Sequence, residues 1–172
     1  MTPAPFQSDR NPADFHPLER ADELIGKQLF TTAWVPVKRK HMMLFHDAIE
    51  TNPEESDVSI CLSNPLGDDI MDGAWVLAMT VNFHFNHNPI WSPGMWALFY
   101  GIEKARFPEP VFVGQTIRGL AHLADVRPHR HGRLMVFDNT VEIQGSDRPA
   151  MSATTTALFR IGEMPREKPA GL

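Results

Sequence analysis

The stretch Gly73–Asn86 constrains this chain more than any other. Ala74, Trp75, Val76, Leu77, Ala78, Met79, Val81, Phe83 and Phe85 leave almost no polar face. That pattern predicts a helix buried nearly all round. Asp69 or Asp72 is placed to cap its start. His87-Asn88-Pro89 ends it, because the residue before a proline leaves the α region. Such a helix cannot lie on a surface, so the rest of the chain must wrap it.

From Met95 onward the pattern switches to period two. Four strands are expected: Trp96–Phe107, Thr116–Arg127, Arg133–Gln144 and Ala150–Arg160. Three of them are joined by short turn-like connections, as in an antiparallel meander. Upstream, Leu29–Val37 reads as a strand. Lys38–Glu50 reads as an amphipathic helix, with Met42, Phe45, Ala48 and Ile49 at helical spacing. Thr51–Asp69 is loop-like, broken by Asn52-Pro53 and Asn64-Pro65. One early strand, a buried helix and then consecutive long strands form an α+β arrangement. A curved antiparallel sheet wrapped round the long helix satisfies it. Such a sheet has free edges, and pairing with a second copy covers one.

The chain has 172 residues, 42% of them hydrophobic, which suits one domain with one core. Prolines 3, 5, 12 and 17 make residues 1–20 an irregular arm. The folded domain is expected over 21–163 and a flexible tail over 164–172. The net charge of −5 argues against a nucleic-acid partner. Ala74–Phe85 is too short and too polar to span a bilayer, and residues 1–20 lack the apolar core of a signal peptide. The lone cysteine, Cys61, excludes an intramolecular disulfide and a cysteine zinc site. It reads as a small apolar residue. A soluble, cytoplasmic protein is expected.

Three sequence words are similar to the MaoC-like dehydratases, the family of the R-specific enoyl-CoA hydratases. The most specific is Gly101-Ile102-Glu103-Lys104-Ala105-Arg106-Phe107-Pro108-Glu109-Pro110-Val111-Phe112-Val113-Gly114-Gln115-Thr116-Ile117. The family commonly writes it G-hydrophobic-x-x-x-R-F-x-x-P-V-x-V-G-D-x-I. The others are Ile70-Met71-Asp72-Gly73-Ala74, where the family often has His-Gly opening the buried helix, and Phe45-x-Asp47-Ala48. The resemblance implies a single hot-dog fold over most of the chain. It implies a hydro-lyase that reversibly adds water to an enoyl thioester of CoA or an acyl carrier, with no cofactor beyond the CoA of the substrate. It also implies a homodimer, or a hetero-oligomer with an active hot-dog chain.

One departure bears on the chemistry. The family's catalytic aspartate and histidine lie in a G-D-x-N-P-x-H motif. The matching stretch here is Ile49-Glu50-Thr51-Asn52-Pro53-Glu54-Glu55. Glu50 stands at the aspartate's place and Glu55 at the histidine's, with Asn52-Pro53 kept. Asp72 replaces the histidine before the helix glycine.

Hydration needs a base for water, an acid for the α-carbon and donors for the enolate oxygen. Two carboxylates sharing a desolvated site divide the first two roles, because repulsion raises one pKa and leaves the other group ionised. Glu50 and Glu55 are that candidate pair, with Asp72 as a third carboxylate. The other reading of Glu54, Glu55 and Asp57 is a solvated loop. The resemblance puts the oxyanion donors at the start of the buried helix, near Gly73. A helix N-terminus offers free N–H groups there, and the same glycine also suits tight helix entry. His84 reads either as a hydrogen-bonded core histidine or as a group reaching the thioester tunnel. With His87 it has i, i+3 spacing, but two histidines are a weak metal signal and no metal is expected. Arg106 suits a phosphate, a carboxylate or a structural ion pair. His41 and His46 flank the first helix, within reach of the site.

The leading reading is a hydratase or dehydratase of an acyl-CoA thioester, on an unusual acyl group given the altered pair. The alternatives are a non-catalytic hot-dog subunit that shapes the tunnel of an active partner, an acyl-CoA thioesterase, and a plain acyl-binding protein.

Overall fold

A computed structural model describes residues 15–51 and 69–163. A short 3-10 helix, Leu18–Leu24, precedes strand β1 (Gln28–Thr31) and strand β2 (Val35–Pro36). Helix α1 (Arg39–Ala48) and helix α2 (Gly73–His87) follow. The long strands are β3 (Met95–Arg106), β4 (Thr116–His129), β5 (Gly132–Ile143) and β6 (Pro149–Ile161). All pairings are antiparallel, in the order β1-β4-β5-β6-β3, with β2 also on β4. The four expected long strands are present, each within two residues of its expected bounds.

Helix α2 lies across β4, β5 and β6. Its Trp75, Val76 and Phe83 join Ile117, Ala121, Val141 and Met151 in one apolar cluster. The closest approach is at Gly119, where an added Cβ would sit 2.2 Å from the Phe83 ring. The strand gives up a side chain where the helix comes nearest. A second cluster joins Leu18 and Ala21 to Leu123, Met135, Phe137 and Phe159. The sheet is strongly curved. Glu103 on β3 reaches Arg127 on β4 at 2.6 Å, although β5 and β6 lie between those strands in the pairing order.

Two expectations need correction. The single strand Leu29–Val37 is broken between Thr31 and Val35. There the Thr32 N–H donates to the Gly119 carbonyl at 2.9 Å, and the Gly119 N–H donates to the Thr32 hydroxyl at 3.0 Å. A side-chain bond replaces a ladder bond, and the strand jogs. Nor is α2 buried all round. Ala74, Ala78, Val81 and Phe85 form an exposed stripe, with Val81 49% and Phe85 57% accessible. One sheet supplies one wall, so it covers one side of this all-apolar helix only. The edge strand β3, paired on one side by β6, also exposes Leu98, Phe99, Tyr100 and Ile102.

Residues 15–20, inside the expected arm, pack on the domain. His16 pairs with Ile90, and Leu18 and Ala21 are buried. No helix among the described residues is long and apolar enough to cross a membrane.

Candidate active site

The start of α2 is built where two of the sequence words meet. Residues 69–71 run beside 111–113: the Met71 N–H donates to Val111 O at 2.7 Å, and the Val113 N–H to Asp69 O at 2.8 Å. The Phe107 ring lies over Gly73, 3.3 Å from where a Cβ would stand, so any side chain at 73 would press on that ring. Asp72 is the N-cap, and its carboxylate accepts from the Ala74 N–H at 2.6 Å. Gly73 and Trp75 belong to the same first turn, whose N–H groups have no partner within the helix ladder. The dipole adds partial positive charge there.

Helix α1 begins at this end of α2. Arg39 pairs with Asp69, and the His41 ring stacks on Trp75 with centroids 5.9 Å apart. His41 Nδ1 accepts from the Lys38 N–H at 3.3 Å, which puts its proton on Nε2. Desolvation, then Lys40 and Lys38, hold this imidazole below its ordinary pKa.

Glu50 lies nine residues beyond His41, ~14 Å along the α1 axis at 1.5 Å per residue. It has φ +57°, alone among the described non-glycine residues in the left-handed region. It closes the helix: its N–H donates to Asp47 O at 3.2 Å, and the Thr51 N–H to His46 O at 2.9 Å. These are the two bonds of a Schellman motif, with Glu50 where glycine is usual. The Glu50 side chain is exposed. It makes no hydrogen bond or ion pair among the described residues.

A cavity of about 280 Å³ opens along the second half of α2, between that helix and β3, β5 and β6. Its first helix residue, Thr80, is ~10 Å along the axis from Gly73. The walls are largely aromatic and include Phe85, Trp91, Phe99, Phe137 and Phe159. His84 forms part of the floor. Asn139 Nδ2 donates to Thr155 Oγ1 at 2.9 Å and to Phe137 O at 3.2 Å, so Asn139 Oδ1 is the acceptor facing His84. The proton is therefore on His84 Nε2, 2.7 Å from Asn139 Oδ1. His84 Nδ1 accepts from Asn88 Nδ2 at 3.3 Å. Burial beside Phe30 and Phe137 lowers the His84 pKa to about 4, against the opposing pull of Asn139. His84 is neutral near pH 7.

The structure thus places Asp72 and Gly73 together at the α2 N-terminus, His84 in the cavity wall and Glu50 at the far end of α1. No contact among the described residues joins Glu50 to α2. Arg106 is exposed at the end of β3, where it donates to Ala105 O at 2.8 Å and makes no ion pair among the described residues. Glu55, Asn52 and Cys61 lie outside the described residues. Sequence reasoning missed Asn139 and Thr51. Asn139 carried a signal, being polar in the inward register of β5 between Phe137 and Val141. Thr51 carried none.

Residues 20–144 match the family described as MaoC like domain. The chain belongs to the MaoC-like dehydratase family. Among curated proteins it is similar to nodulation protein N of Rhizobium meliloti, 28% identical over 159 residues, covering 88% of this chain and 95% of that one. It is also similar to 3-hydroxyacyl-thioester dehydratase Z of Mycobacterium tuberculosis, 29% identical over 141 residues, covering 78% and 89%. In fold this MaoC-like chain is similar to the monoamine oxidase regulatory protein of Archaeoglobus fulgidus (TM-score 0.63, 22% identity, covering 81% and 92%). The hot-dog fold expected from the sequence is the fold observed.

Proposed function

We propose that this protein is a hydro-lyase that adds water to, or removes it from, an acyl thioester. The observation that carries the reading is the pairing of two features on α2. Its first turn presents N–H groups beside Gly73, and its second half lines an aromatic cavity. The thioester oxygen sits against the first turn, where those groups hold the negative charge that builds as the enolate forms. The acyl chain runs along the helix toward His84. A base takes a proton from water as its oxygen bonds to the β-carbon, and an acid delivers a proton to the α-carbon. Glu50 and Glu55 are assigned these proton transfers by their place in the family motif, and Asn52 is assigned to substrate binding. Arg106 is assigned to the carrier's phosphate. CoA or an acyl carrier enters as part of the substrate, and no cofactor is needed.

The protein works as a homodimer in this reading. A second copy covers the Val81 side of α2 and the free edge of β3, closing the open side of the cavity.

One observation favours a second reading, a non-catalytic subunit of a hot-dog assembly. The Asp72 carboxylate is occupied in capping its own helix.

Turnover of a panel of enoyl-CoA and 3-hydroxyacyl-CoA thioesters by the purified homo-oligomer tests both, with Glu50→Gln and Glu55→Gln beside it. Hydration by the wild type that collapses in both variants is the expected result. Thioester cleavage in place of hydration makes it a thioesterase. Tight binding without turnover makes it the non-catalytic subunit or an acyl-binding protein.

A further inference from the structure

The left-handed turn at the end of α1 is over-determined by side chains that the proposed chemistry does not use. An L-residue in this region is held against a steric cost, because Cβ crowds the following carbonyl. Glycine would meet no such cost, and glycine is the usual residue at this place in a helix end. Strain of this kind persists only where the surroundings enforce it, and it concentrates at functional sites. Here the enforcement is visible. The Thr51 N–H donates to the His46 carbonyl at 2.9 Å. The Thr51 hydroxyl and His46 Nδ1 are also 2.9 Å apart, across the same six-residue turn. His46 therefore holds Thr51 twice, through its backbone and through its ring. Glu50 is trapped between them at φ +57°. Its carboxylate is not itself a party to the clamp, so the clamp fixes the backbone and leaves the carboxylate unoccupied among the described residues.

We propose that His46 and Thr51 are positioning residues for the Glu50 carboxylate, locking the backbone turn that carries it. The inference rests on the assignment of Glu50 to proton transfer. A right-handed conformation at residue 50 would send its side chain in another direction. An ångström of misplacement costs a general acid or base about 100-fold in rate.

The test is steady-state kinetics on the full chain with its best thioester, together with thermal melts. Thr51→Val removes the hydroxyl and keeps the shape, Thr51→Ser restores the hydroxyl, and His46→Phe removes Nδ1 from the other side. The expected result is a 10- to 100-fold fall in kcat at unchanged KM for Thr51→Val and His46→Phe, with rescue to within threefold by Thr51→Ser. His46→Phe lies within the helix, so it keeps the test decisive if Thr51→Val folds poorly. Unchanged kcat in both, with Glu50→Gln inactive, overturns the clamp and leaves the Glu50 assignment standing. Full activity in Glu50→Gln overturns that assignment and the clamp with it. A wild type inert on every thioester overturns both.

Discussion

The proton on His84 Nε2 is directed at Asn139 Oδ1, 2.7 Å away, from the last turn of α2 to the inward face of β5. This single bond ties the helix to the sheet at the floor of an apolar cavity, and its consequences are measurable through pH. The fold lowers the His84 pKa to about 4 from an ordinary 6.5. The unfolded chain therefore takes up this proton more readily than the folded one. The stabilisation from neutral His84 is whole above pH 6.5 and shrinks as pH falls toward 4, by up to roughly 3 kcal/mol. Urea midpoints between pH 4 and 7.5 should fall with acid in the wild type, and the slope should flatten in His84→Leu. Equal slopes in the two proteins would remove His84 as the cause.

Asp72 is separable as cap and as catalyst. Asp72→Ala should cost about 1 kcal/mol through loss of the bond to the Ala74 N–H. Asp72→Ser keeps a capping oxygen and should recover most of that stability. If the carboxylate only caps, Asp72→Ser also keeps its turnover. A stable but inactive Asp72→Ser would make it a catalytic group.

Gly119 leaves room for Phe83, and the room is specific. Gly119→Ala should destabilise by ~1–3 kcal/mol, since the new methyl meets a buried ring. Phe83→Leu in the same chain should recover part of that loss. A double mutant whose melt equals the sum of the two single losses would mean that the contact is not the source.

Glu50→Gly should move stability and activity in opposite directions. Glycine relieves the left-handed strain at φ +57° and adds back some unfolded-state entropy. The net gain is on the order of 0.5–1 kcal/mol, a rise in Tm of ~1–4 °C for a chain of this size. Turnover should fall with the loss of the carboxylate. A drop in Tm would show that the Glu50 side chain supports the fold.

The stripe on α2 makes oligomerisation testable. Phe85→Lys puts a charge on the exposed apolar side of the helix. Sedimentation should then show a shift from dimer toward monomer, with an unchanged far-ultraviolet spectrum. A wild type that sediments as a monomer at every concentration would leave the stripe without the cover assigned to it.

What the sequence determined by itself was periodicity. Residues 95–161 alternate strictly enough to place four strands, and the run from Gly73 has the spacing of no other element than an apolar helix. Those patterns are local, because each side chain's face follows from its own position along the chain. The words around Gly73 and Gly101–Ile117 were legible for the same reason. Their meeting was not, since the hydrogen bonds between residues 69–71 and 111–113 join segments that only the folded sheet brings together. The break at Thr32 follows from a hydroxyl that finds Gly119 across the sheet, and the open face of α2 from a wall that one chain builds on one side only. Likewise Asn139 became a partner of His84 through the register of β5. Tertiary structure decided these because burial and hydrogen-bond partners belong to pairs of distant residues, whereas periodicity belongs to each segment alone.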